Sequence, residues 1–394
     1  MKYIDKLLQG APVEWKTLGE VAEIKRGTMV TKKNSNTGEF PVISGGQQPA
    51  YYIDRFNRTG STITIAGSGA YAGFIMYWEK PIFVCDAFSI KTDELQISLR
   101  YIYHYLVSIQ NKIYQLKTGS GVPHVYPKDV ARFPIPITPL AVQEEVVRVL
   151  DTFTTLEAEL EAELDCRKRQ YQYYRDALLS FVPDSNDGLC HSPLIPTPFA
   201  VEWRPLSEIT TKVDKIKWGS ILMTEQYEYI DLSSIDIKTS QIIDTAVISS
   251  TNHPSRAQQI VKTNDILFGT TRPTLMRCCL IPQYYDNQIC STGYCVIRPD
   301  TTIVHPHLIY HVLSSSAFRV YVERFQEGEP YPSISDKLIL SYSIPIPPLA
   351  VQERIVEMLD KFDTLVHSIS EGLPREIALR RKQYEYYRDA LLTF

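Results

Sequence analysis

Hydrophobic positions recur at alternating steps of three and four residues in two stretches of the chain. In the first, Val142, Val146, Val149, Phe153, Leu156 and Leu160 step by 4, 3, 4, 3 and 4. One more step of four reaches Leu164, and Arg167, Tyr171, Tyr174 and Leu178 then resume 3, 4, 3 and 4. This is the spacing of a coiled-coil seam, with a stutter between Leu160 and Leu164 that locally unwinds a supercoil. The second stretch runs Val351, Ile355, Met358, Phe362, Leu365, Ile369, Leu373, Ile377, Arg380, Tyr384, Tyr387 and Leu391. It holds two extra four-residue steps, and Gly372 and Pro374 predict a kink or a fresh helix start there. A helix of about 40 residues spans roughly 60 Å. Ahead of each stretch the pattern shortens to strands, at 61–66, 74–78 and 82–90 and again at 265–268, 276–281 and 294–297. Each set is followed by a short helix, at 99–106 and 306–313. Loops at 67–73 and 119–125, and at 269–274 and 328–334, punctuate the two sets.

The chain contains one unit twice. Ile135-Pro-Ile-Thr-Pro-Leu-Ala-Val-Gln-Glu144 returns as Ile344-Pro-Ile-Pro-Pro-Leu-Ala-Val-Gln-Glu353. Gln170-Tyr-Gln-Tyr-Tyr-Arg-Asp-Ala-Leu-Leu179 returns as Gln383-Tyr-Glu-Tyr-Tyr-Arg-Asp-Ala-Leu-Leu392, and Val13-Glu-Trp15 returns as Val201-Glu-Trp203. The opening Tyr3-x-Asp5-x-Leu7-Leu8 repeats the end of the helical stretches, so the order is cyclic and the two chain ends should lie close together. The reading is an α+β chain in pseudo-two-fold cyclic order. It has an N-terminal echo (1–12), a first mixed α/β domain (13–134), a central helix (135–181), an exposed linker (182–200, with Asp184, Asn186 and Gly188), a second mixed α/β domain (201–343) and a C-terminal helix (344–394). The plain alternative is two amphipathic helices, each packed on its own domain. Duplication makes the two helices each other's partner instead, as an antiparallel coiled coil that holds the domains apart.

Composition adds limits. Hydrophobic residues make up 44 % and charged residues 22 % of 394, an ordinary globular balance. No apolar run reaches the roughly 18 residues of a membrane helix, which predicts a cytoplasmic protein. The seven cysteines lack the even spacing of a disulfide framework, so free thiols are expected. Net charge is −4, which alone argues against a nucleic-acid binder. By segment, however, residues 13–134 carry +4, 140–181 carry −4 and 201–343 carry −2.

The formal dinucleotide pattern at Gly67, Gly69 and Ala72 leads into a strand instead of a helix, which removes the phosphate-binding helix terminus it needs. His305, His307 and His311 suggest metal, but His311 corresponds to His104, where no histidine cluster exists, and reads as a structural histidine. Cys278, Cys279, Cys290 and Cys295 lack zinc-site spacing and read as buried thiols. Asp231, Asp236 and Lys238 faintly resemble a metal-dependent nuclease core. No phosphate loop, nucleophile elbow or zinc-protease motif is present, and no active site or metal is expected.

What remains suits DNA. Lys25, Arg26, Lys32, Lys33, Arg55 and Arg58 are interleaved with Asn34, Asn36, Gln47, Gln48, Tyr51 and Tyr52. Arginine and lysine position phosphates or read guanine, while asparagine and glutamine read adenine. Loop position adds Ser68, Tyr71, Ser120, His124 and Tyr126 in the first domain. In the second it gives Arg256, Thr270, Thr271, Arg272, Thr274, Arg277, Tyr331 and Ser333.

On the paired Pro-Leu-Ala-Val-Gln-Glu repeats, the Gln-Tyr-x-Tyr-Tyr-Arg-Asp endings and the Val-Glu-Trp starts, the chain resembles the DNA-specificity subunits of type I restriction-modification systems. It is most similar to the subfamily with tetrapeptide repeats in the central helix, here Glu157-Ala-Glu-Leu160 and Glu161-Ala-Glu-Leu164. The resemblance implies two target-recognition domains that each read half of a split, asymmetric site in double-stranded DNA, with helices that set the spacer. It implies two modification subunits docked on the helices, carrying S-adenosylmethionine, and restriction subunits using ATP and magnesium, with no cofactor in this chain. The candidate partner contacts are Gln143, Glu144, Tyr171, Tyr174, Arg175, Gln352, Glu353, Tyr384, Tyr387 and Arg388. The competing readings are a protein-only coiled-coil scaffold and a nuclease built on Asp231, Asp236 and Lys238.

Overall fold

The computed structural model describes residues 3–183, 189–368 and 370–394, with the side chain of Pro196 excepted. Its principal helices are α1 (Tyr3–Leu8), α2 (Leu99–Ser108), α3 (Leu140–Leu178), α4 (Pro306–Leu313), α5 (Ser316–Phe325), α6 (Leu349–His367) and α7 (Leu373–Leu392). The break between α6 and α7 falls where Gly372 and Pro374 predict it. A Cβ on Gly372 would press into the carbonyls of Thr364 and Leu365, so the restart needs glycine. Seam position Ile369 and the linker residues Asp184, Asn186 and Gly188 lie outside the described residues.

The chain divides into two compact units, 1–158 with 379–394, and 159–378. In the first, strands β1 (Glu14–Thr17) to β9 (Pro134–Ile137) build three sheets. β2 (Glu23–Arg26), β8 (Ala87–Lys91), β5 (Thr62–Ala66) and β6 (Ile75–Trp78) form an antiparallel sheet in that order. β4 (Tyr52–Ile53), β3 (Phe40–Ile43) and β7 (Phe83–Val84) form a second, in which β3 and β7 run parallel. β1 and β9 pair antiparallel, Trp15 opposite Pro136. The β5 residues Ile63 and Ile65 pack with Phe88, Ile102 and Leu106, and Ile4, Val142, Val146, Leu150, Leu391 and Leu392 complete the same core. Full burial of such a side chain is worth about 1.5–3 kcal/mol. Both chain ends therefore close on one core, as the cyclic repeat predicts, with Trp15 edge-on to Phe394 at 6.1 Å.

The second unit repeats the plan. Its core sheet orders Thr210–Thr211, Tyr294–Pro299, Ile266–Gly269 and Cys278–Leu280. A companion sheet contains the parallel pair Gln226–Ile230 and Ile289–Ser291. Glu202–Pro205 pairs with Ser343–Ile346 in the register of β1 and β9, Trp203 opposite Pro345. The Val-Glu-Trp and Ile-Pro repeats thus recur together because they are the two strands of one ribbon.

Two sequence expectations change. The stretch 182–200 is not a bare exposed linker. Val182–Pro183, Cys190–Ser192 and Ile195–Phe199 form a three-stranded antiparallel sheet, and Ile195 and Phe199 are buried with Tyr171 and Leu178. The prolines read as a linker in the sequence, yet Pro183 takes a paired position opposite Cys190, and Ile195 and Phe199 turn into the core. The helices also bury two stripes each, where the seam spacing identifies one. Within the first unit Val142, Val146 and Leu150 face the domain, while Phe153 stacks on Tyr387 at 5.0 Å. Within the second, Ile355 and Leu359 face the domain, while Phe362 stacks on Tyr174 at 5.1 Å. Both helix pairing and helix-on-domain packing are present, so the plain alternative and the coiled-coil reading each describe one stripe.

Candidate nucleic-acid interface

In each unit the loop after the central strand is tied to the loop ahead of the ribbon by the same backbone bonds. In the first, Val125 N–H donates to the Gly67 carbonyl (3.0 Å), Gly69 N–H to Pro123 (3.0 Å), and Thr118 and His124 exchange a pair of bonds (3.0 and 2.8 Å). In the second, Ile334 N–H donates to Thr270 (3.0 Å), Arg272 N–H to Pro332 (2.7 Å), and Glu327 and Ser333 exchange a pair (both 2.8 Å). Gly119 (φ +109°) and Gly328 (φ +96°) hold matching left-handed turns, a conformation that needs glycine. The frame is one; the side chains on it differ.

The first frame brings Arg26, Ser68, His124 and Tyr126 together. The His124 ring lies nearly parallel to Tyr126 (6.1 Å, 14°), and the Arg26 guanidinium lies 5.6 Å from the Tyr126 ring centre, within cation–π range. A cavity of about 350 Å³ opens between them, with Gly27 and Asp86 in its wall. Asp86, which the sequence reading did not single out, accepts a hydrogen bond from the Ser68 hydroxyl. Gln47 and Gln48 are exposed on the loop beside Ser68, where a Cβ on Gly45 would run into the Ser68 carbonyl. Tyr71 and Ser120 are exposed on the framed loops, and Lys32, Lys33 and Asn34 form an exposed 3-10 turn of their own. Lys25 is exposed and paired with Glu23 at 2.6 Å.

The second frame brings Thr270, Thr271 and Arg272 to Tyr331 and Ser333, with the Arg272 guanidinium 4.9 Å from the Tyr331 ring centre. Arg272 (φ +48°) and Met276 (φ +51°) flank a 3-10 turn, Pro273–Leu275, that turns the loop outward. The Thr270 hydroxyl is spent on the Gly293 carbonyl (2.9 Å). Thr274 is half-buried and its carbonyl accepts from Arg319 (3.1 Å). Arg277 is half-buried, its Nε without a protein partner. Arg256 is exposed.

Other members of the basic stretch are structural. Arg58 donates to the Ser89 hydroxyl (2.7 Å) and to the carbonyls of Asn57 and Arg26. Tyr51 donates to the Val30 carbonyl and Asn36 to Asp54, both at 2.8 Å. Arg55 lies over Phe83 at 6.0 Å. Cys278, Cys279, Cys290 and Cys295 are buried free thiols, and burial pushes Cys279 up to about 12. Asp236 caps a turn: its Oδ1 accepts from the N–H groups of Lys238 (2.5 Å) and Thr239 (3.0 Å). Among the described residues no group of three or more His, Cys, Asp or Glu could hold a metal, and no helix is long and apolar enough to cross a membrane.

Several candidate partner contacts are internal instead. Gln143 is fully buried: its Oε1 accepts from Ser98 N–H (2.9 Å), and its Nε2 donates to the carbonyls of Gln96 (3.0 Å) and Thr138 (2.7 Å). Gln352 makes the same three bonds, from His305 N–H (2.7 Å) and to Ile303 (3.1 Å) and Pro347 (2.8 Å). Tyr171, 3 % exposed, donates to Nδ1 of His311 (3.0 Å), whose Nε2 donates to Asp360 (2.7 Å). Tyr384 does the same to His104 (3.4 Å), whose Nε2 donates to Asp151 (2.8 Å). Burial holds the His104 imidazole below its ordinary value in spite of Asp151. His311 and His104 are thus the structural pair that their matching positions predict. Tyr174 and Tyr387 lie in the helix seam, and Arg175 is buried beside Tyr171. Arg388 is half-buried, its guanidinium on Asp389 at 2.8 Å and 5.8 Å from the Tyr384 ring centre. Glu144 and Glu353 are exposed. So are Tyr173 and Tyr386, at 66 % and 70 %, with Trp15 and Trp203 at 50 % and 57 %. The sequence carried these tyrosines inside its repeat; their position off the seam was the available signal.

A family model described as the type I restriction modification DNA specificity domain matches residues 12–165 and 209–379. The specificity subunit of the EcoR124I/EcoR124II type I restriction enzyme of Escherichia coli is 30 % identical, the match covering 100 % of this chain and 97 % of that one. The specificity subunit of the EcoprrI enzyme, also of Escherichia coli, is 23 % identical over 94 % of this chain and 92 % of that one. A crystal structure of a type I restriction-modification S subunit from M. genitalium shares the fold, with a TM-score of 0.59 at 17 % identity, covering 97 % of this chain and 96 % of that one. Two matched domains that together take in most of the chain, and a relative that matches it from end to end, establish that this chain belongs to the type I restriction-modification DNA specificity subunit family.

Proposed function

We propose that the chain is the sequence-reading, non-catalytic subunit of a type I restriction-modification complex. The observation that carries this reading is the duplicated loop frame: one backbone hydrogen-bond pattern, built twice, bearing Arg26, Ser68, His124 and Tyr126 in one unit and Thr271, Arg272, Tyr331 and Ser333 in the other. A repeated scaffold with unlike polar and aromatic side chains is what two different half-site specificities require. Each frame reads one half of a split, asymmetric duplex site. The helices set the unspecified spacer, and the Glu-Ala-Glu-Leu pair within α3 is what supports assigning the chain to the tetrapeptide-repeat subfamily.

In this reading two modification subunits dock on the helix ends, and restriction subunits join for cleavage. S-adenosylmethionine belongs to the former, and ATP and magnesium to the latter. The docking residues are Glu144 and the exposed Tyr386 in the first unit and Glu353 and the exposed Tyr173 in the second, in place of the buried Gln143, Gln352 and Tyr171. The complex works in the cytoplasm.

The test is single-molecule sequencing of genomic DNA from a host that expresses the methylating partner, with and without this chain. A methyladenine mark on a split motif that depends on the chain is the expected result. Replacing residues 13–134 with the corresponding domain of a relative should change one half of that motif only. Methylation that is unaffected by deletion of the chain, with the partner active, overturns the reading in favour of a protein-only scaffold.

A further inference from the structure

Asp86 stands where a carboxylate is electrostatically out of place. It lies in the bend just ahead of β8, half-buried in the wall of the cavity shared with Arg26, His124 and Tyr126. Its carboxylate accepts from the Ser68 hydroxyl, and among the described residues it has no ion-pair partner. Beside a DNA backbone such a group is repelled by phosphates unless something supplies it with a donor.

The second unit shows that the frame does not need it. Gly67 N–H donates to the Asp86 carbonyl at 3.1 Å, and at the equivalent place Thr270 N–H donates to the Gly293 carbonyl at 2.9 Å. Position 293 is glycine, closely covered by Leu232. The same turn is therefore built with no side chain at all, which removes a purely architectural reason for the carboxylate at 86. Ser68 fixes one oxygen and leaves the other lone pairs free, and an ionised carboxylate only accepts.

We propose that Asp86 is a specificity-determining residue of the first domain, accepting a hydrogen bond from the exocyclic amino group of one base in its half-site, cytosine N4 or adenine N6 presented in the major groove. His124 and Tyr126 wall the slot on one side, and Arg26 holds the flanking phosphate or a guanine. The second domain, with Gly293, has no counterpart to this contact. The proposal rests on the DNA-reading function proposed above.

The test uses the full chain with its methylating partner. Asp86→Asn keeps an acceptor for Ser68 and adds an N–H donor, so a structural role survives it while the reading chemistry is inverted. Genomic methylation by D86N is expected to relax or switch the base at a single position of one half-site and to leave the other half-site unchanged. In parallel, fluorescence anisotropy compares duplexes changed one base at a time. The wild-type complex is expected to lose about 5- to 150-fold in affinity when the amino-bearing base is replaced, and the D86N complex to lose this discrimination even if its turnover is low. A wild-type split motif with D86N unchanged at every position, in both assays, overturns the assignment of Asp86 alone. A wild-type complex with no chain-dependent motif overturns the functional reading and this proposal with it.

Discussion

Replacing Gln143 with alanine separates a structural clamp from a partner contact. The amide makes three hydrogen bonds from a fully buried position, one from Ser98 N–H and two to the carbonyls of Gln96 and Thr138. Each bond contributes about 1 kcal/mol net, and removing the side chain leaves the Thr138 carbonyl buried and unpaired and strips the half-buried Ser98 N–H and the Gln96 carbonyl of their partner. Lost packing adds about 0.8 kcal/mol per methylene. The expected destabilisation is about 3–4 kcal/mol, a large part of the roughly 5–15 kcal/mol that holds a typical domain folded. Urea unfolding of the purified chain, followed by amide exchange in α2, measures it. Because Gln143 joins the start of α3 to the residues ahead of α2, exchange should rise in both segments. Glu144→Ala, at the exposed neighbour, is the control and should fall within about 0.5 kcal/mol of wild type. A Gln143→Ala chain as stable as wild type that fails to bind the modification subunit would refute the clamp and restore the glutamine as a partner contact.

Tyr386→Ala and Tyr173→Ala remove exposed rings and should change stability by less than about 0.5 kcal/mol, while lowering the modification subunit recovered in a pull-down at least tenfold; undiminished recovery from the double variant would move the docking surface elsewhere. A third Glu-Ala-Glu-Leu after Leu164 adds about 6 Å and 400° of helix and should lengthen the unspecified spacer by one or two base pairs; an altered half-site in the methylated motif would contradict this. Burial raises the Asp360 carboxyl, but hydrogen bonds from His307 and His311 outweigh it and hold the group well below its ordinary value. A depressed carboxylate stabilises the fold above its unfolded pKa of about 3.9 and loses that contribution as pH falls through the folded value. Urea midpoints should therefore drop steeply below about pH 4 in wild type and less steeply in Asp360→Asn, and equal slopes would show that this triad is not a stabilising element.

The periodicity and the repeats determined much of the molecule by themselves. A 3–4 spacing admits only helices, Gly372 with Pro374 admits a break, and decapeptides 209 residues apart that differ only at Thr138 and Pro347 admit only one plan used twice. The cyclic echo of Tyr3-x-Asp5 likewise required the ends to meet, as they do around Ile4 and Leu391. The sequence also placed the four loops and the structural pairing of His104 with His311. It could not say which helical residues face a domain and which face the other helix, because Leu150 and Phe153 are both apolar and only packing separates the first, in the domain core, from the second, on Tyr387. For the same reason Gln143 looked like a surface residue: polarity signals exposure until three backbone groups from two other segments are found to need it. Asp86 escaped notice because its neighbours Ser68, His124 and Arg26 are distant in the chain, and only the backbone bonds that close the loop frame make them a site.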